Sequence, residues 1–179
     1  MTGRVFNRDF AWQMTASQAA TAAAVLAGAA AMNGPVDAVI AIARGGTQPA
    51  RFIAAALAAP VRTVRARHNP TDAVYAEATG RVSCDVAGAG PLRGRVLVVD
   101  DICGTGATLT AVTSALARVA EPGAALFTAT LCRNAGSPCR PDLTVWDDLR
   151  EWVIFPWEAG PPDGLPVRCL PEPGQALVP

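Results

Sequence analysis

Residues 95–108 read RVLVVDDICGTGAT, and this stretch decides the fold. Val96 to Val99 form an apolar, β-branched run, the composition of a strand buried on both faces. Two carboxylates, Asp100 and Asp101, end it. Gly104-Thr105-Gly106 then makes a turn, and the segment from about Ala107 to Val119 predicts a helix, stopped by Glu121-Pro122-Gly123. Glycines let backbone N–H groups converge on one point. A new helix adds unpaired amides and the positive end of its dipole. Thr105 and Thr108 add hydroxyls. The result is an anion cradle that needs no lysine, and it is not the GxxxxGK[ST] phosphate loop. Carboxylates next to it suit a diol or a hydrated Mg²⁺. A phosphate site beside a diol site describes a ribose 5-phosphate.

Outward from this stretch, the same grammar recurs. Val36 to Ala43 predicts a buried strand ending at Arg44-Gly45-Gly46. Pro49 to Ala59 predicts a helix with proline in its first turn, and Val61 to Arg65 a further strand. Ala124 to Cys132 predicts a strand, with shorter ones at Leu143–Trp146 and Trp152–Phe155. Strands alternating with helices, and lacking polar alternation, predict an α/β fold. Its central sheet is mostly parallel, with helices on both faces. Ligands of such sheets sit beyond the carboxyl ends of strands. The loops at Arg44 and Gly104 both leave such ends.

Ala16 to Met32 is nearly continuous alanine and other apolar residues. It is shorter than the roughly 20 residues of a membrane span and contains Ser17, Gln18 and Thr21. Thr15 and Gln18 have capping-box spacing, so a helix packed on the sheet is expected. The mixed-charge stretch of Arg4, Arg8 and Asp9 precedes it. Residues 66–93 are polar, hold His68 and Tyr75, and are too long for a passive connection; a lid is expected, with short hairpin strands near Ala73–Ala76 and Arg81–Asp85. One domain over residues 1–159 and an irregular, proline-rich tail over 160–179 complete the expected organisation.

Composition narrows the partners. Fifteen basic residues balance fifteen acidic ones, so nothing indicates a nucleic acid or an anionic membrane. A hydrophobic content of 51% argues against disorder. Five cysteines, an odd number with no CxxC pair and no clear export signal ahead of them, lead us to expect reduced thiols and a cytoplasmic location.

The segment Val96 to Thr108 resembles the PRPP-binding motif of the type I phosphoribosyltransferases. Residues 41–46, AIARGG, resemble their pyrophosphate loop. Residues 151–158, EWVIFPWE, resemble the base-binding end of the bacterial xanthine-guanine and hypoxanthine enzymes and their archaeal relatives. The resemblance covers about residues 36–158, least well in the lid. It implies Mg²⁺-dependent transfer of the 5-phosphoribosyl group from PRPP to a purine-like base, with release of pyrophosphate, as in purine salvage. Asp100 and Asp101 would hold the ribose hydroxyls and organise the metal. Gly104, Thr105, Gly106, Ala107 and Thr108 would bind the 5-phosphate, and Arg44 and Gly45 the pyrophosphate, with a non-proline cis peptide bond expected at Ala43–Arg44. Arg133 would donate to the base, Trp152 would stack on it and the Val153 backbone would read its edge. Glu158 is a further metal candidate, and Arg65, Arg67, His68 and Tyr75 are lid candidates. A homo-oligomer is implied, as are partners limited to PRPP and a nucleobase-like molecule, with no nucleic acid or membrane.

Two positions depart from the family pattern. Gly104 stands where the purine enzymes carry an aspartate near the base N7. Arg133 replaces a lysine, exchanging a point charge for a planar fork that prefers a two-acceptor partner such as a carboxylate. Both changes concern the acceptor. They leave open a non-standard heteroaromatic acceptor in specialised metabolism. A non-catalytic PRPP-binding regulator is a third reading.

Overall fold

The computed structural model describes residues 5–67, 82–158 and 164–174. In chain order these form β1 (Asn7–Gln13), α1 (Ala16–Ala31), β2 (Ala38–Ala43), α2 (Thr47–Leu57), β3 (Val61–Arg67), β4 (Ser83–Asp85), β5 (Arg95–Cys103), α3 (Ala107–Ala117), β6 (Ala125–Asn134), β7 (Leu143–Leu149), β8 (Glu151–Ile154) and β9 (Val167–Cys169). A 3₁₀ turn at Ala87–Ala89 follows β4.

Six strands make the main sheet in the order β4-β3-β2-β5-β6-β7. Every pair is parallel except β3 with β4. Apolar residues fill both faces, as the unbroken hydrophobic runs of β2 and β5 require. Val39, Leu97 and Val99 pack with α1 and α2 on one face. Ile40, Val96 and Val98 pack with Leu109, Val112 and Leu116 of α3 on the other. The chain therefore leaves β2 toward one face and the neighbouring β5 toward the opposite face. That divergence is a topological switch point, and it opens a crevice between the two loops. This α/β architecture is the one the sequence predicts.

Thr15 caps α1 as expected. Its Oγ1 accepts from Gln18 N (3.1 Å), and Gln18 Oε1 accepts from Thr15 N (2.9 Å). Among the described residues no helix is long and apolar enough to cross a membrane.

One strand went unread and one expectation needs correction. Arg8 and Asp9 lie in β1, at the centre of a second, parallel sheet ordered β8-β1-β9. The tail is not irregular throughout: Val167–Cys169 pairs with Ala11–Gln13, and Leu170 is buried. Gln18 Nε2 donates to Leu170 O (2.6 Å) and Trp146 Nε1 to Pro171 O (3.0 Å). A strand of three residues between prolines leaves no periodic signal, whereas side chains distant in sequence hold it in place. Within the segment expected to be a lid, Ser83–Asp85 forms the strand anticipated near Arg81–Asp85; the one near Ala73–Ala76 lies outside the described residues.

Candidate active site

The site is assembled at the carboxyl ends of β2, β3, β5 and β6. Ala43, the last residue of β2, is joined to Arg44 by a cis peptide bond, as expected. The turn that follows lies against the end of β5. A Cβ on Gly45 would stand 2.6 Å from Asp101 Oδ1 and closer still to Oδ2. One on Gly46 would stand 2.8 Å from Ile42 O and 2.9 Å from Asp100 Cα. Both distances are well inside van der Waals contact, so only glycine permits this approach. The sequence-predicted pairing of Arg44-Gly45 with Asp100-Asp101 is thus physical proximity. Arg44 is exposed, and Arg65 and Arg67 lie exposed at the end of β3, with Arg65 in register with Ala43. His68 and Tyr75 lie outside the described residues.

Asp101 is buried, and its Oδ1 accepts from Ile102 N at 2.7 Å. Asp100 Oδ1 accepts from Asp101 N at 3.0 Å. The carboxylates are therefore held by the backbone of β5, which runs on past them to Cys103. Beyond Cys103 the chain turns through Gly104 and Thr105 to Gly106, whose φ of +79° starts α3 in the left-handed region that favours glycine. Thr105 Oγ1 accepts from Ala107 N (3.3 Å). The amides of Thr108 and Leu109, in the first turn of α3, have no intrahelical carbonyl to bond. The loop forms one wall of an open cavity of about 520 Å³, completed by Val82, Thr110, Pro138 and Cys139.

Sequence reasoning missed the contribution of residues 137–139. Cys139 packs on Gly106 so closely that a Cβ there would lie 3.0 Å from the sulfur and closer to its Cβ. Cys103 Sγ lies 3.3 Å from Ser137 Oγ and 3.7 Å from Cys139 O. Burial pushes the Cys103 thiol up to about 12, against a lowering hydrogen bond from Ser137. It is a structural thiol, not a nucleophile.

A second cavity of about 170 Å³ adjoins the Asp100–Thr108 segment at Asp101 and Ile102. Its size is below the 300–1,000 Å³ of sites for drug-sized ligands and suits a single ring system. Trp152 and Phe6 contribute aromatic rings whose centroids are 5.7 Å apart and tilted by 31°. Phe6 comes from the N-terminal segment that sequence reasoning left unassigned. Asp101, Ile102, Asn134, Glu151, Val153, Phe155 and Glu158 complete the lining. The carbonyls of Arg150, just before β8, and of Ile154, its last residue, accept from Asn7 N (2.7 Å), the first residue of β1, and Met14 N (3.0 Å), just after it. Backbone groups alternate sides along a strand, so the N–H and C=O of Val153 point to the edge of β8 away from β1; that edge pairs with no other strand among the described residues. Glu158 is anchored by Phe155 N, which donates to Oε2 (3.2 Å). Partial burial pushes its carboxyl up, the Phe155 hydrogen bond opposes this, and the charge of Asp101 adds to the rise.

Arg133 is not brought to this cavity. It is buried, and its Nε donates to Asp147 Oδ1 while Nη1 donates to Ser137 O (3.0 Å). The carboxylate its fork prefers is supplied by the protein itself. The reason is the β6–β7 register. It sets residues fourteen apart side by side, so Thr130 Oγ1 meets Thr144 Oγ1 and Thr128 bonds Asp142, and the same offset brings Asp147 to Arg133. Burial pushes the Asp147 carboxyl up, but the Arg133 hydrogen bond, the Asp148 N–H and the charges of Arg133 and Arg140 hold it below the usual range.

Known proteins share this fold. The phosphoribosyl transferase domain profile matches residues 11–163. The chain belongs to that family. It is a phosphoribosyltransferase, and the expectation of a transferase of this fold holds. Among solved structures, a purine phosphoribosyltransferase from Pyrococcus horikoshii is 26% identical with a TM-score of 0.71, over 84% of this chain and 95% of that one. The xanthine-guanine-hypoxanthine phosphoribosyltransferase of Helicobacter pylori shares the fold at 18% identity and a TM-score of 0.64, over 82% and 91%. A hypoxanthine phosphoribosyltransferase from Staphylococcus aureus does so at 15% and 0.57, over 78% and 74%. No curated protein matches the chain.

Proposed function

We propose that this phosphoribosyltransferase moves the 5-phosphoribosyl group of PRPP onto a purine-like base and releases pyrophosphate. The observation that carries the reading is the close approach of Gly45 to the Asp101 carboxylate. It supports one continuous donor site in which a pyrophosphate loop, a diol-binding pair and a 5-phosphate cradle are adjacent.

In this reading Gly104 to Thr108 bind the 5-phosphate through backbone amides and the Thr105 and Thr108 hydroxyls. Bound phosphate oxygens displace Thr105 Oγ1 from Ala107 N–H, freeing both groups. Asp100 and Asp101 accept hydrogen bonds from the ribose hydroxyls and fix C1 above the second cavity. Arg44 and the Gly45 amide hold the departing pyrophosphate. The C1–O bond breaks as a base nitrogen forms a bond to C1 from the opposite face. Positive character on the ring during this step is tolerated beside the Asp100 and Asp101 charges. Trp152 and Phe6 hold the base flat, and the Val153 backbone reads its edge. The structure offers no acid–base group at Gly104, so another acceptor must take the base proton.

The donor chemistry also fits Mg²⁺. Among the described residues no three acidic, histidine or cysteine side chains converge as a closed metal cage. Mg²⁺ is ordinarily held by one or two carboxylates together with waters and substrate phosphates, and Asp100 and Asp101, with Glu158 nearby, are ligands of that kind. When bound, the ion supplies positive charge that neutralises the departing pyrophosphate.

The purine-like acceptor is supported by the likeness to the Pyrococcus horikoshii purine enzyme and by the aromatic lining of the second cavity. Incubation with PRPP, Mg²⁺ and a panel of bases tests the reading. Formation of a nucleoside 5′-monophosphate is the expected result; no nucleotide from any heteroaromatic base would refute it.

A further inference from the structure

The hydrogen-bonding inventory of the second cavity selects among purines. Apart from the Trp152 indole N–H and the Asn134 amide, the polar side chains of its described lining are acceptors. Asn134 contributes nothing to a ligand, because its amide is fully used. Oδ1 accepts from Val5 N (3.0 Å) and Gly136 N (3.0 Å), and Nδ2 donates to Val5 O (2.8 Å) and Leu149 O (3.1 Å). Two acceptors on the oxygen and two donors on the nitrogen exhaust the group. Arg133, the cation expected to donate to an exocyclic oxygen, is committed to Asp147 and Ser137.

The remaining charged side chains of the described lining are acidic. Glu151 Oε2 accepts from Trp12 Nε1 (3.0 Å) and Oε1 from Asn7 Nδ2 (3.2 Å), which fixes the carboxylate and leaves each oxygen a second lone pair. Glu158 Oε2 is held by Phe155 N, and Oε1 makes no hydrogen bond among the described residues. Both side chains line the cavity with Asp101. Among the described residues of the lining, the donors are the Val153 N–H, on the edge of β8 away from β1, and the Trp152 indole. An oxo group buried against these carboxylates would lose its hydrogen bond to water without replacement, whereas an amine would gain a charge-assisted one.

We propose that the acceptor is an amino-bearing purine whose exocyclic amine donates to Glu158, and that purines carrying only oxo groups are selected against. The inference rests on the reading of the second cavity as the acceptor site and narrows that reading to one chemical class. It also gives Glu158 a specificity role distinct from metal binding, since a metal role would scale the rates of all bases together.

The test uses two pairs that exchange an amine for an oxo group at one ring position: adenine with hypoxanthine, and guanine with xanthine. PRPP binding is first measured by calorimetry with Mg²⁺; then kcat/KM is measured for each base at saturating PRPP. The amine member is expected to be at least tenfold better in one pair or both. In Glu158→Gln, the Phe155 N–H holds the amide oxygen where Oε2 was, which turns the amide NH₂ toward the place of Oε1. An acceptor becomes a donor, and the amine-to-oxo ratio is expected to fall by tenfold or more. Absence of a tenfold amine preference in both pairs, no turnover of any of the four bases, or an unchanged ratio in Glu158→Gln overturns the inference while bound PRPP leaves the donor site standing. Failure to bind PRPP removes both.

Discussion

Replacement of Gly45 by alanine is the most revealing small perturbation available in this site. The added methyl would stand 2.6 Å from Asp101 Oδ1 and nearer to Oδ2. Ordinary contact needs about 3.4 Å or more, so either the carboxylate or the loop must recede by about 1 Å. Asp101 has little room to comply: it is 8% exposed and its Oδ1 is held by Ile102 N. Overpacking of this kind costs roughly 1–3 kcal/mol of stability, and a displacement of about 1 Å in a positioning group costs about 10²-fold in rate. The assay is kcat/KM for PRPP, read by pyrophosphate release, beside a urea unfolding curve. Gly28→Ala serves as the control. Gly28 is exposed on α1, and an added methyl there would meet nothing within 4 Å, so the exchange should stabilise the helix by roughly 0.5–1 kcal/mol and leave kinetics unchanged. If Gly45→Ala retains kcat/KM within about threefold of the parent, the loops do not form one donor site and the reasoning fails.

Three further outcomes follow from the same structure. Asp147→Asn removes the carboxylate from a buried guanidinium and should cost about 2–4 kcal/mol in urea, at the low end of a fully buried pair because the Asp147 side chain is 21% exposed. The folded carboxyl sits below its unfolded value of about 3.9. The pair's stabilisation is therefore complete above that value, and the parent's advantage should shrink as pH falls through the folded value; an advantage that grows on acidification contradicts the assignment. A thiol-alkylating reagent should modify half-buried Cys139 in the open cavity and spare buried Cys103 and Cys132, with PRPP slowing the reaction at Cys139 several-fold relative to exposed Cys169; equal protection of both cysteines, or none, would separate Cys139 from the phosphate site. Trp152→Ala should raise KM for the base about tenfold or more, as expected for loss of roughly 1–3 kcal/mol of stacking, while KM for PRPP stays within about twofold; the reverse pattern would remove Trp152 from the acceptor cavity.

The central sheet was legible because its strands are buried on both faces and therefore apolar throughout. Val96 to Val99 carries that signal without help from the rest of the chain. The two glycine loops were legible for a related reason, since glycine, threonine and paired aspartates at a strand end have few other uses. Arg133 was not legible in the same way. Its type and place suggested a ligand, but its partner was fixed by the β6–β7 register, which a linear reading does not reveal. Asn134, next to it, likewise spends its amide on Val5 and Leu149, residues 129 and 15 positions away. Strands β1 and β9 escaped notice because they are held by pairing with each other and by Gln18 and Trp146, not by local pattern. Phe6 could have been suspected from the aromatic spacing of Phe6, Phe10 and Trp12, but nothing local tied it to Trp152.

The most direct test of phosphoribosyl transfer is a stoichiometric one. Purified protein is given PRPP, Mg²⁺ and a purine base, and nucleoside 5′-monophosphate and pyrophosphate are quantified together, for the parent and for Asp101→Asn. The structure predicts equal amounts of the two products from the parent and a loss of at least about 10²-fold in the variant with its fold retained. Pyrophosphate without nucleotide, or a variant as active as the parent, would contradict it.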